Sequence, residues 1–250
     1  MTIQKRSDSD ITVESKSIAE KDAKKYQPCE STKWTIRLNT VEDFKNRDIA
    51  ATELLKLGNS AVPALVACLE SKHKDVPLLA AEALGKMGSD AKDAVPILSE
   101  AFENGNGEAG IALGKIGPEA KSAVQVLITS LNNKKFKQIA IRSLGRIGPE
   151  AKNAILPLTE LLNTSNEKTI VRIHGALAKI TGNEQHIVFL TEYLDDNYAR
   201  TTRIYAVQEL EEIGPSAQNA IPALERVIWE KEAVLSKLAN QALDKISCKN

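Results

Sequence analysis

Aromatic side chains are scarce in this sequence: two Trp, four Tyr and four Phe make up 4% of 250 residues. Strands draw heavily on aromatic and β-branched residues, so this scarcity argues for helices packed through Ala, Leu, Ile and Val. The 42% hydrophobic content is ample for such a core. Cysteine is nearly absent as well. Cys29, Cys68 and Cys248 are odd in number and far apart, which excludes a disulfide framework or a paired-cysteine metal knuckle and points to a reducing compartment. An excess of one charge is also missing: Lys plus Arg and Asp plus Glu each number 33, so no overall field draws the chain to nucleic acid or anionic membrane. No stretch approaches the length of a membrane span, and Met1 to Lys25 lacks the apolar run of a secretory signal, so the expected location is cytoplasmic.

Reactive constellations are lacking too. His73, His174 and His186 read as lying in different repeats, no cysteine aligns with them, and neither HExxH nor CxxC occurs. We therefore expect no catalytic residues, no metal ligands and no cofactor, and a chain that is not an enzyme. Gly105, Gly107 and Gly110 spell GxGxxG, but what precedes them is the amphipathic stretch ILSEAFEN and not a strand, so they read as a loop between repeats. Cys68 falls at a leucine-like core position, while Cys29 and Cys248 are expected to be ordinary terminal thiols.

What the sequence does contain is one motif repeated. ALGKIGPEAKSAV, Ala112 to Val124, has close copies along most of the chain, opened by Leu54, Leu84, Leu113, Leu144, Leu177, Leu210 and Leu243 at spacings of 30, 29, 31, 33, 33 and 33 residues. Periods of this size mean a solenoid of helix pairs. First helices outside the fifth copy run into a Gly that can end them in a left-handed conformation, as at Gly58 and Gly88. Pro63, Pro96 and Pro222 open second helices where the missing amide has no acceptor, and Pro157 lies one residue further in. Asp75 and Pro77 stand where an N-cap and first-turn proline belong. Thr40 and Asp43 resemble a capping box for the first repeat, whose connecting turn is three residues shorter than later ones. The fifth copy, ALAKITGNEQHIVFL from Ala176, puts Thr181 in place of the terminal Gly and has no following proline, so its turn should be reshaped.

The copies LGKIGPEAKSAVQVLITSL from Leu113 and LGRIGPEAKNAILPLTELL from Leu144 resemble HEAT repeats of the short bacterial kind named after phycobilisome lyases, over roughly residues 40 to 246. The resemblance implies an all-α, right-handed α-α superhelix of about six helix pairs and a C-terminal capping helix, related to armadillo-like helical folds. It also implies a protein-binding role, with a minority of relatives attaching bilin pigments or acting on DNA. Residues 1–30 read as a flexible tail and 31–248 as the solenoid; Trp34, Ile36 and Leu38 alternate with polar residues as a short strand would, or drape over the first repeat as a cap. The polar positions Lys237, Asn240, Gln241 and Asp244 suit an end cap.

Two charge patterns follow from the register. Lys56, Lys86, Lys115, Arg146, Lys179 and Lys245 each stand two residues after the repeat leucine and should stack as a basic ladder, broken by Glu212. Their place in the last helical turn favours a cation, and a phosphate-tracking stripe is the alternative. On the second helices Glu100, Glu160 and Glu192 share one position, and Glu70, Glu103 and Asp195 another. If that layer lines the concave side, as in similar proteins, the concavity is partly acidic, which counts against nucleic acid as a partner. The function expected is a non-enzymatic protein-binding scaffold or adaptor, with a phycobilin lyase or lyase-associated chaperone as one alternative and nucleic-acid binding as another. The expected partner is another protein, docking where aromatics and arginines gather towards the C-terminus: Tyr193, Tyr198, Arg200, Arg203 and Trp229, residues of the kind that dominate binding hot spots.

Overall fold

The computed structural model describes residues 30–40, 44–230 and 232–247. Among these there is no strand, and helices follow one another as antiparallel pairs. A leading helix α1 (Glu30–Thr40) precedes six pairs: α2 (Phe44–Lys56) with α3 (Val62–Leu69), α4 (Val76–Met87) with α5 (Val95–Glu103), α6 (Gly107–Ile116) with α7 (Val124–Ser130), α8 (Lys137–Ile147) with α9 (Ile155–Leu162), α10 (Glu167–Thr181) with α11 (Glu184–Glu192), and α12 (Arg200–Ile213) with α13 (Ile221–Trp229). α14 (Ala233–Ser247) closes the stack. This is the all-α solenoid expected from the repeats, six pairs and a final helix. Glu232 accepts the Leu235 amide at 2.6 Å and so caps that last helix.

The segment at Trp34 and Leu38 is helical, which corrects the strand-like reading of residues 34–38. Trp34 and Leu38 are four residues apart and so share one helical face. Leu38 is fully buried, Trp34 packs on the same core, and the helix lies against α2 and α3, covering the open end. The expected tail, apart from Glu30, and the Asp43 half of the capping box lie outside the described residues, as do Cys29 and Cys248. Cys68 is fully buried.

The motif between paired helices is more regular than a turn. After Gly88, Gly117, Gly148 and Gly214 a seven-residue 3-10 helix follows, and after Gly58 a four-residue one. The four longer inserts start from φ of 60° to 75° with ψ near −140°, a combination open only to glycine. One alanine in each, at Ala91, Ala120, Ala151 and Ala217, leaves helical geometry and is fully buried, plugging the space between its two helices. The fifth repeat has no such insert: α10 runs on to Thr181, Gly182 takes a left-handed cap at φ 66°, and Asn183 caps α11 by accepting the Gln185 amide.

The two layers are unequally dense. First helices of successive repeats lie in continuous contact, while second helices touch far less. Glycines make this possible: a Cβ on Gly85, Gly114 or Gly145 would sit 3.0, 2.8 or 2.9 Å from the backbone Cα of Ala112, Ser143 or Ala176 in the next repeat. In a stack of two-layer units, the layer with the shorter spacing lies on the inside of the bend. The first helices are therefore the inner layer, which corrects the expectation that the second helices line the concavity. Polar stitches reinforce the register, as where Ser143 Oγ donates to the Gly110 carbonyl at 2.7 Å and Asn106 Nδ2 to that of Pro77 at 3.2 Å.

Candidate functional site: a charged groove over the fifth repeat

Because repeats four and six carry 3-10 inserts and repeat five does not, a notch opens between them. It forms a groove of about 1300 Å³ along the turn edge of the solenoid, with Pro118, Pro149, Gly182, Pro215 and Lys245 each contributed by a different repeat. The ends of the first helices bring charge to it. Glu212 Oε1 accepts Arg142 at 2.7 Å and Arg146 at 2.8 Å, and its Oε2 accepts Lys179 at 2.9 Å. Lys179 also donates to Glu209 Oε2 at 2.9 Å. One carboxylate on α12 thus gathers cations from two other first helices, α8 and α10. Burial works to raise the Glu212 pKa, but Lys179, Arg142 and Arg146 outweigh it and hold the group at about 2. Burial likewise opposes the Arg142 charge, and the Glu212 bond and field reverse the effect, leaving its pKa raised.

The Arg142 and Arg146 contacts to Glu212 skip a repeat. Helices pack about 8–10 Å apart, so straight stacking would put α8 and α12 about two such spacings from each other. Their ion pairs form because the inner layer curves them together over α10. The ladder residues consequently carry structure. Lys56 pairs with Glu53, Lys86 with Glu82, Arg146 and Lys179 with Glu212, and Lys245 with Glu211, each from the last turn of its helix. Lys115 is the ladder cation with no ion pair among the described residues. Glu212, which looked like a break in the ladder, is its clasp.

The fifth repeat also corrects the histidine assignment. His174 and His186 lie in the same repeat, on α10 and α11, with their Nδ1 atoms 3.0 Å apart and the Phe189 ring 4.6 Å from that of His174. One imidazole must donate and the other accept. Burial, with the His186 charge adding to it, lowers the His174 pKa to about 4, and burial lowers that of His186. No group of three His, Cys, Asp or Glu side chains suited to a metal occurs among the described residues. Of the GxGxxG glycines only Gly105 lies between α5 and α6, while Gly107 opens α6 and Gly110 sits within it, packed so tightly against Phe102 that a Cβ would meet its ring at 2.5 Å.

The residues expected to dock a partner gather on the opposite, inter-repeat edge. Tyr193 and Tyr198 stack with ring centroids 4.7 Å apart, and burial followed by the Tyr198 neighbour raises the Tyr193 pKa. Arg203 is buried: its Nε donates to the Leu194 carbonyl at 2.9 Å and one terminal nitrogen to both Glu230 oxygens at 2.6 Å. Arg200, exposed, pairs with Glu232 at 2.8 Å. Trp229, next to Glu230 in the chain, is 88% exposed, the most open of the large apolar side chains. Arg203 therefore fixes the loop that carries the two half-buried tyrosines, while Arg200 and Trp229 are exposed. Reasoning from sequence missed the groove and its Glu212 hub; the signals were the shortened fifth turn and the single anion in a row of cations.

The family model for HEAT repeats matches residues 32–112. No curated protein matches the chain in sequence. Among solved structures, a chain in the complex of CpcE and CpcF of phycocyanin lyase from Nostoc sp. PCC7120 is similar at 22% identity and a TM-score of 0.61, over 87% of this chain and 93% of that one. The archaeal HEAT-like repeats protein from Thermococcus onnurineus NA1 is similar at 15% identity and a TM-score of 0.47, over 88% and 98%. A computationally designed armadillo repeat protein for modular peptide recognition follows at 19% identity and a TM-score of 0.34, over 85% and 98%. No described helix is long and apolar enough to cross a membrane. HEAT repeats are matched over residues 32–112, and the same helix-pair unit continues to the last helix, so the fold is a HEAT-like two-layer α-solenoid.

Proposed function

We propose that the chain is a non-enzymatic scaffold or adaptor that binds another protein in the cytoplasm. The observation that carries this reading is the open groove of about 1300 Å³ assembled from the turn edges of consecutive repeats, a surface that extended stacks present naturally. The exposed Trp229, with Tyr198 and Arg200 on the far edge, supplies a second contact area of hot-spot composition, for which Tyr193 and Arg203 provide the support. Cross-linking and affinity recovery from the native source test the reading. A chain that recovers no protein under either treatment would overturn it, and replacing the exposed Trp229 by Ala should weaken recovery without lowering the melting temperature.

A second reading, a phycobilin lyase or a lyase-associated chaperone, is favoured by the likeness of fold to the phycocyanin lyase complex over most of both chains. Mixing the purified chain with a bilin and an apo-phycobiliprotein separates the two. Pigment transfer would establish the lyase, and absence of both pigment binding and transfer would remove it. Nucleic-acid binding along the ladder is the weakest reading, since its cations are largely engaged with carboxylates.

A further inference from the structure

We propose that the small cavity between α11 and α13, with the exposed Trp229 beside it, receives a cationic side chain, Arg or Lys, from a basic segment of a partner protein. The inference deepens the protein-binding reading above by naming the partner's charge, and it rests on that reading.

The cavity holds about 190 Å³. Pockets for small-molecule ligands run from about 300 to 1,000 Å³, so this one suits a single side chain. Its buried lining is apolar, from Leu194, Ala223 and Val227, and can cover the methylene stem of a long cationic residue. Its rim is acidic: Glu192, Asp195, Asp196 and Glu230 meet Arg226 as the one lining cation. The buried Arg203 neutralises Glu230 from outside the cavity, and the neighbouring Arg200 is paired with Glu232. What remains is Glu192, Asp195 and Asp196 against one guanidinium, an excess of two negative charges. None of these three carboxylates forms an ion pair among the described residues, although Arg226 lies near enough to act on Asp195.

The second observation is independent of the carboxylates. Trp229 lies three residues after Arg226, hence beside it on the surface of α13, and is 88% exposed. The open face of an indole attracts a cation. Elsewhere the chain covers such faces itself: Lys33 and Arg37 stand 5.8 and 5.3 Å from the Trp34 ring centroid, and Arg172 stands 4.6 Å from that of Tyr205. Trp229 has no such cation among the described residues. An incoming Arg or Lys can lie against the indole with its stem on the apolar lining and its charge among the rim carboxylates. The same rim repels phosphate backbones and acidic segments, so the occupant is a basic stretch of protein.

Fluorescence anisotropy of a labelled hexa-arginine peptide at low ionic strength tests the proposal, with a labelled hexaglutamate peptide as the comparison. The full chain should bind the first and not the second. Trp229→Ala, at a position too exposed to disturb the fold, should weaken binding about threefold, the size of one exposed cation–π contact. Asp195→Asn together with Asp196→Asn should weaken it by about the same factor, while Arg226→Gln, which removes the competing cation, should tighten it. Asp90→Asn together with Asp93→Asn, at an exposed acidic pair in the second repeat, should change nothing. Circular dichroism should show every variant folded. Unchanged affinity on Trp229→Ala, an equal loss from the Asp90 and Asp93 control, or preference for hexaglutamate overturns the proposal. Loss with Trp229→Ala but not with the Asp195 and Asp196 pair marks an apolar contact instead and overturns it too. Protein recovery by the unaltered chain tests the broader reading separately, so either can fail alone.

Discussion

Repeats four and five occupy neighbouring places in the same stack and solve the same problem differently. In repeat four the Gly148–Ala154 insert folds under the pair and its buried Ala151 fills the space between α8 and α9. In repeat five the insert is missing, and His174, His186 and Phe189 bring α10 and α11 together instead. The regular repeat spends its turn on apolar closure and presents a smooth edge. The irregular one closes with polar rings further down the pair and leaves its edge open, and the charges of α8, α10 and α12 meet there. In this solenoid, then, the groove opens where one copy omits what the others share.

The most damaging way to probe this contrast is Leu144→Pro in the middle of the regular repeat. Leu144 is fully buried, so the change removes a core side chain, worth about 2–5 kcal/mol, and interrupts a helix at a further cost of about 3 kcal/mol or more. Loss of a cooperative thermal transition by circular dichroism is expected; an unchanged melting temperature would contradict the helix-pair assignment.

Next in size comes the clasp itself. Lys179→Met leaves Glu209, 7% exposed, without its cation, and should cost about 3 kcal/mol in urea unfolding, as breaking a largely buried pair does. Acid should reveal both devices of the irregular repeat in sequence. The folded pKa of His174, about 4, lies below its ordinary 6.5, so the neutral ring favours the fold above pH 6.5 and that stability drains away as pH falls from 6.5 to 4, up to about 3 kcal/mol. Glu212 is depressed from 4.5 to about 2, so its share is present above pH 4.5 and is lost between 4.5 and 2. His174→Phe should flatten the first phase of a pH-dependent urea titration and leave the second.

Smaller effects sharpen the comparison. Gly145→Ala pushes a Cβ to 2.9 Å from the Ala176 backbone and should cost about 1–3 kcal/mol through overpacking. Gly182→Ala meets no atom within 4 Å and bears only the left-handed backbone penalty of about 1 kcal/mol, so the regular glycine should prove the more sensitive by melting temperature. Smallest of all, Lys86→Met removes an exposed pair with Glu82 and should shift stability by less than about 0.5 kcal/mol.

The architecture was legible because repetition multiplies weak signals: one Gly-Pro pair says little, but copies of it in a fixed relation to Leu113 and Leu144 define helix, turn and helix. Where a feature depended on a single copy, reading failed. Trp34 and Leu38 looked like part of an alternating strand because eleven residues, Glu30–Thr40, are too few to establish a period. His174 and His186 were separated because the shortened turn obscured where α11 begins. The groove was legible only in its place, marked by the shortened fifth turn; that α8 and α12 meet across it depends on how tightly Gly145 lets the inner layer stack. Arg203 misled for a related reason. Its residue type suits a hot spot, but its guanidinium is spent on Leu194 and Glu230, and burial is a property of the assembled edge.

The apolar interior is not one body but two: Ile173, Ala176, Leu177 and Ile180 complete a cluster that begins at Leu38, while Val171 and Ala178 open another that ends at Ile246. Both meet on α10, and the Glu212 clasp straddles that seam from α8 to α12. Pulled from its ends, such a chain is a spring with one soft coil, two stiff blocks yielding first at the fifth repeat. Because charges hold the coil closed, raising the salt concentration should soften it.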